Sequence, residues 1–331
     1  MKKAAKIVGY VLVVLVGAVA AGVLYLQYAF PNVDAAPVIT IAKTPILVKR
    51  GEYLANHVAV CIDCHSTRDW SRLTAPPLPG TMGKGGDKFD HSLGFPGTFY
   101  ARNITSDKES GIGAWTDGEV YRAITSGVSR NGDPLFPMMP YKAYSQMSQE
   151  DAYAIVAYIR TLSPIKNKVP ASDPDFPVSL FLRTMPSNIP TLAAEPVLKD
   201  SVALGKYLVT IAGCSDCHTA GDKGAYMAGG NEFHFPNGAT LRTANLTPDK
   251  ETGIGNWTET AFVSRFKSFT DPANTPKVDP KGFNTLMPWS MYGGMEAGDL
   301  RAIYKYLHSL KPEKNKVVKF TPGPDTAPAA S

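Results

Sequence analysis

The sequence predicts an all-α protein: two tandem helical units behind an N-terminal transmembrane helix. Three observations carry that prediction. Residues 7–26 form a run of twenty without a charge, enough to cross a bilayer as a helix. Beyond it the chain repeats itself, with residues 103–115 and 245–257 identical at nine of thirteen positions. Each repeat closes on a segment whose apolar residues recur at three and four, and nowhere is a period-two alternation long enough to argue for a sheet. A length of 331 residues fits about two domains with substantial cores.

Taken in order, residues 1–30 read as a membrane anchor. Lys2, Lys3 and Lys6 precede the apolar run and the polar Pro31-Asn32-Val33-Asp34 follows it, so the positive-inside rule leaves the N-terminus in the cytoplasm and exports the rest. A cleaved signal peptide is the alternative, with Ala18-Val19-Ala20 as a small-residue cleavage site. Residues 31–46 are a linker, and the first domain spans 47–165. Its opening helix, expected from Val48 to Val60, leads into Cys61; the corresponding helix of the second domain, 200–318, runs from Ser201 to Ile211 before Cys214. Gly51-Glu52-Tyr53-Leu54 and Gly205-Lys206-Tyr207-Leu208 mark the two as copies. A middle helix starts at Thr116 or Thr258, each a good N-cap ahead of acidic first-turn residues. The closing helices carry Ala154, Ile155, Tyr158 and Leu162, then Leu300, Ile303, Tyr306 and Leu310, and end at Pro164 and Pro312. Between the domains, 166–199 reads as a proline-rich linker, and 319–331 as a disordered tail.

The chemistry sits in a pentapeptide that occurs twice, Cys61-Ile62-Asp63-Cys64-His65 and Cys214-Ser215-Asp216-Cys217-His218, and that uses all four cysteines. At this spacing two thiols can bond to the vinyl groups of one haem while the next residue, a histidine, reaches the iron. A four-cysteine zinc site would not need a histidine after both pairs, and a dithiol redox motif does not normally come in duplicate. The expectation is two covalently bound haem c groups, with Cys61, Cys64, Cys214 and Cys217 as attachment points and His65 and His218 as axial ligands.

The second axial positions fall to Met139 and Met287. Each is followed by proline, each lies downstream of a middle helix, and they stand 74 and 69 residues after their motif histidines. A thioether is a soft, neutral ligand that raises the potential. Met138 is the neighbouring rival, but it falls out of the 148-residue offset that relates Met139-Pro140 to Met287-Pro288. His57, His91, His234 and His308 lack repeat symmetry, which counts against ligation. Asn103 and Asn245, each opening an Asn-x-Thr segment, are read as ordering their loops or contacting a propionate, with Trp115 and Trp257 beside the macrocycle. Arg130 and Arg102 are candidate propionate partners.

The net charge of +5 owes three lysines to the N-terminal tail, and haem propionates would lower it further. A near-neutral body without a basic stripe argues against nucleic acid. The run Gly83-Lys84-Gly85-Gly86 lacks the P-loop spacing, so nucleotide binding is not supported.

The segments Phe95-Pro96-Gly97-Thr98-Phe99-Tyr100-Ala101-Arg102-Asn103-Ile104-Thr105, Gly111-Ile112-Gly113-Ala114-Trp115 and Met138-Met139-Pro140-Tyr141 resemble a known family. That family is the tandem class I-like cytochromes c, in particular the membrane-associated cytochrome subunits that accept electrons from periplasmic alcohol, aldehyde and sugar-acid dehydrogenases. The resemblance covers about residues 48–315. It implies His/Met ligation and delivery of electrons to quinone or an oxidase. Those subunits typically carry three haem motifs, whereas this chain has two. The expected function is a dihaem electron relay at the bacterial cytoplasmic membrane, its haem domains facing the periplasm and its partners other redox proteins. It is expected to have no catalytic residue of its own. The alternative is a dihaem cytochrome c peroxidase, which needs an iron open to peroxide and an acid/base residue beside it.

Overall fold

The computed structural model describes residues 2–188, 200–221, 223–279 and 282–324. The first helix, α1 (Lys2–Ala29), has no buried residue and is long and apolar enough to cross a membrane. Next, α2 (Pro45–Tyr53) starts three residues earlier than its apolar pattern suggests. Thr44 caps it by accepting from the Leu47 N–H at 3.3 Å, and Pro45 occupies the first turn, where a missing N–H costs nothing. It continues as a π-helical turn over Leu54–Val58, and a left-handed Val60 (φ 46°) then turns the chain into α3 (Cys61–Cys64).

The middle helix α4 (Asp117–Ser126) opens on a full capping box between Thr116 and Glu119 and stops at Gly127. A single turn, α5 (Tyr141–Tyr144), follows Met139-Pro140, and α6 (Gln149–Ile159) closes the repeat. After a short α7 (Val178–Phe181), the second repeat runs through α8 (Ser201–Ile211), α9 (Cys214–His218), α10 (Glu259–Lys267), α11 (Trp289–Tyr292) and α12 (Ala297–His308). Thr258 caps α10 by accepting from Ala261, as its sequence context predicted.

The opening and closing helices of each repeat pack together, α2 on α6 and α8 on α12. A glycine makes each crossing possible. A Cβ built on Gly51 would lie 1.8 Å from the Ala154 carbonyl oxygen, and one on Gly205 would lie 2.0 Å from that of Ala302. The apolar faces of both pairs, including Leu54, Ile155, Leu208 and Leu300, join in one continuous buried cluster.

The expectation of an all-α chain needs correction. The described residues include two three-stranded antiparallel sheets, β1 (Lys88–Phe89), β2 (Gly97–Tyr100) and β3 (Asp173–Pro174), then β4 (Glu232–His234), β5 (Thr240–Arg242) and β6 (Phe320–Thr321). Strands of two to four residues are too short for a period-two pattern, so their pairing could not be seen locally. The third strand of each sheet comes from beyond the closing helix: β3 from the segment read as linker, β6 from the segment read as tail. The linker also returns to the base of α1, where Arg183 donates to the Phe30 carbonyl at 2.9 and 2.6 Å. The central part of that linker, 189–199, lies outside the described residues, as does 325–331 of the expected tail.

The repeats dock by a reciprocal exchange. The Tyr53 hydroxyl donates to Asp299 at 2.6 Å and accepts the backbone N–H of Glu296, the residue capping α12. Its counterpart Tyr207 donates to Asp151 at 2.6 Å and accepts the N–H of Ser148, the cap of α6. Burial, followed by the neighbouring carboxylate, pushes both phenols well above the usual tyrosine range, so each keeps its proton. Tyr53→Phe and Tyr207→Phe each remove a hydrogen bond to a charged acceptor. Each should cost about 1.5–3 kcal/mol in denaturant titration, and the double variant should be close to additive.

Candidate haem-binding sites

The two motifs sit at the same place in each repeat, immediately after the opening helix. On a helical turn residues three apart share a face, so Cys61 with Cys64, and Cys214 with Cys217, present their sulfurs together. None of the four forms a disulfide. Burial pushes the thiols of Cys61, Cys64 and Cys214 up to about 12. Among the described residues no three His, Cys, Asp or Glu converge as a metal cluster.

The histidines are held identically. His65 Nδ1 lies 2.6 Å from the Arg102 carbonyl oxygen, and His218 Nδ1 lies 2.8 Å from that of Ala244. A carbonyl only accepts, so Nδ1 carries the proton and Nε2 keeps its lone pair. Burial lowers the pKa of both imidazoles, which favours the neutral form. A ligating histidine needs this arrangement: one nitrogen fixed by a carbonyl, the other available to a metal. The donor set of two same-face thiols and one oriented, neutral imidazole fits haem c.

The carbonyls that orient the histidines belong to the residue before each Asn-x-Thr segment, a role the sequence did not reveal. Asn103 Nδ2 donates to the Ile165 carbonyl at 2.8 Å and its Oδ1 accepts from the Thr105 N–H at 2.9 Å. Asn245 does the same with the Glu313 carbonyl at 2.7 Å and the Thr247 N–H at 2.9 Å. These buried asparagines therefore tie the carbonyl-bearing loop to the segment just after the closing helix. A glycine completes the contact on the other side. Gly85 donates to the His65 carbonyl and Gly229 to that of His218, both at φ +71°, where a Cβ would strike the Arg102 and Ala244 backbone.

Met139 and Met287 are both partly buried and packed against the main core, as are Cys61 and Cys214. The rival Met138 packs instead against the aromatic cluster of Phe89 and Phe99. Trp115 lies against the core, whereas Trp257 is 38% exposed. Arg130 pairs with Glu119 at 3.4 Å, and the Arg102 guanidinium donates to the Pro170 carbonyl at 2.6 Å. Of the other histidines, His57 meets the Met291 carbonyl at 2.9 Å across the repeat interface, His91 meets Asp175 at 2.7 Å, and His234 lies 3.2 Å from Thr240. His308 stacks on Tyr304 with ring centroids 4.0 Å apart. Beside the first motif, Arg68 bridges Asp63 at 3.2 Å and Asp87 at 2.6 Å. Burial outweighs that pairing and pushes the Asp63 carboxyl up to about 6.

Comparison with known proteins agrees with this chemistry. The cytochrome c family model matches residues 202–311. The chain is 31% identical over 314 residues to the cytochrome c subunit of the quinone-dependent alcohol dehydrogenase of Gluconacetobacter polyoxogenes, covering 87% of this chain and 62% of that protein. It is 30% identical over 306 residues to the gluconate 2-dehydrogenase cytochrome c subunit of Pantoea cypripedii, covering 86% and 64%. To the fructose dehydrogenase cytochrome subunit of Gluconobacter japonicus it is 31% identical over 236 residues, covering 67% and 44%. The chain thus spans less than two thirds of the length of these relatives. It carries a cytochrome c domain, and over most of its own length it is similar to the cytochrome c subunits of dehydrogenases.

Proposed function

We propose that the chain is a membrane-anchored dihaem c-type cytochrome that relays single electrons between a dehydrogenase or respiratory donor and a downstream quinone, oxidase or cytochrome. Residues 47–165 and 200–318 would form two class I-like cytochrome c domains, each holding one haem through its cysteine pair. The observation that carries the reading is duplication of the whole donor arrangement: thiol pair, carbonyl-oriented histidine and Met-Pro segment. Bound haem supplies the one-electron step. The chain's own residues do the rest. His65 and His218 are kept neutral and oriented by the Arg102 and Ala244 carbonyls, Met139 and Met287 would offer their sulfurs to the iron, and the buried cluster excludes water. The names of the three relatives described above, each a cytochrome subunit of a dehydrogenase, support a redox-protein partner. Helix α1 with its three leading lysines supports anchoring, with the remaining domains on the periplasmic side.

A peroxidase reading finds no support in the comparisons, and matching Met-Pro segments in both repeats leave neither site distinguished as open. The direct test is haem stoichiometry by pyridine haemochrome. The purified chain should carry two haems, and the double variant Cys214→Ser with Cys217→Ser should carry one. A single haem in the parent chain would contradict the proposal.

A further inference from the structure

The two Met-Pro segments match in sequence, yet they are held differently. Around Met139 the backbone contacts are local: its N–H donates to the Phe136 carbonyl at 3.1 Å, and its carbonyl accepts from the Tyr141 N–H at 2.7 Å. Met287 has the corresponding local bond from the Trp289 N–H at 2.8 Å. Its carbonyl also accepts a second bond, 2.8 Å, from the Thr74 hydroxyl. Thr74 belongs to the first repeat, ten residues past Cys64.

That contact is built rather than incidental. Thr74 is 2% exposed and adopts a left-handed conformation (φ 63°), and Ala75 beside it does likewise (φ 44°). Non-glycine residues take such conformations only where the surroundings hold them there. Here much of that hold comes from the second repeat. Asn284 Oδ1 accepts the Thr74 N–H at 3.0 Å, and its Nδ2 donates to the Arg72 and Trp70 carbonyls at 3.2 and 3.3 Å. Leu73 donates to the Pro276 carbonyl at 2.9 Å, Val278 donates back to Ser71 at 2.8 Å, and Arg72 Nη1 reaches the Thr275 carbonyl at 2.7 Å. From the other side the Met287 N–H is held by the Thr285 hydroxyl at 3.0 Å. Both polar backbone groups of Met287 are thereby fixed, one of them from the opposite repeat.

We propose that Thr74 is a positioning residue for the second haem: the first repeat, through the Thr74 hydroxyl, sets the placement of the Met287 sulfur, whereas the backbone hydrogen bonds that hold Met139 come from its own repeat. The inference rests on the reading of Met287 as an axial ligand. Its functional meaning is that the properties of one centre depend on the docking of the two repeats.

The test uses the full, haem-loaded chain and two readouts, the sulfur-to-iron charge-transfer band of the oxidised protein and a redox titration resolving both centres. Thr74→Val keeps the shape and the β-branched backbone preference but removes the donor, and Thr74→Ser keeps the donor. Thr74→Val should weaken about half of the band intensity and move one potential, leaving the other unchanged, and Thr74→Ser should restore both. Thr74→Ala, which removes the hydroxyl with less steric demand, serves if the valine variant fails to load haem. A donorless variant with the parent band and both parent potentials overturns the proposal, as does an equal effect on both centres or failure of serine to rescue. Met287→Ala separates the two layers. If it leaves the band intact, the ligand reading itself fails; if it removes half of the band while Thr74→Val and Thr74→Ala do nothing, only the positioning role fails.

Discussion

Met139→Ala and Met287→Ala should each lower the reduction potential of one centre and leave the other at its parent value. A thioether sulfur is soft and uncharged, so it favours reduced iron; alanine offers no ligand, and a water or nothing takes its place. The expected displacement is at least tenfold in the ratio of reduced to oxidised centre at a given applied potential, about 59 mV for one electron. Because both methionines are only partly buried, truncation should cost less in folding than the range for a fully buried methionine, about 2–5 kcal/mol. The electrochemical effect can therefore be read in folded protein. Spectroelectrochemical titration of each variant gives the answer, and an unchanged pair of potentials would sink the ligand assignment for that methionine. Met138→Ala is the internal control. Its side chain lies with Phe89 and Phe99, so it should leave both potentials in place.

Gly51→Ala and Gly205→Ala are expected to be strongly damaging single-methyl changes. The added carbon would meet backbone rather than a movable side chain, at 1.8 Å from the Ala154 oxygen and 2.0 Å from the Ala302 oxygen. Relief requires the opening helix to move away from the closing helix, which exposes the contact holding Leu54, Ile155, Leu208 and Leu300 together. The cost should reach about 3 kcal/mol in each case, the upper end for overpacking a core. The opening helix also leads into the motif cysteines, so each variant should lose haem from its own repeat first. Thermal unfolding followed in the Soret region checks both effects. A control substitution at Gly298, where a new Cβ meets nothing within 4 Å, should be nearly silent.

How much of this was legible follows from the range over which each signal acts. Thr116 and Thr258 announced helix starts because a cap is a local device, read from a few adjacent residues. The duplicated pentapeptide announced the candidate attachment sites for the same reason. The sheets were invisible, since β3 and β6 pair with strands 77 and 81 residues away in sequence, at Gly97↔Pro174 and Thr240↔Thr321 in register. At two to four residues they carry no periodicity of their own. The carbonyls of Arg102 and Ala244 were equally hidden, because a backbone acceptor leaves no trace in side-chain identity. Their neighbours Asn103 and Asn245 did leave one, and reading them as loop-ordering residues agrees with the hydrogen bonds that tie them to Ile165 and Glu313. Tyr53 and Tyr207 were visible as repeat markers but not as interface residues, since nothing in Gly-x-Tyr-Leu says that the hydroxyl reaches the opposite repeat. Thr74 has no counterpart in the other repeat to draw attention to it; only the fold places it against Met287.

These features converge on one central claim, that each repeat holds one haem between a carbonyl-oriented histidine and a methionine sulfur. The most direct measurement is the optical spectrum of the purified, fully oxidised chain, with the sulfur-to-iron charge-transfer band quantified per haem. The account predicts a band intensity corresponding to methionine ligation at both centres. Absence of the band, or an intensity matching one centre only, would contradict it.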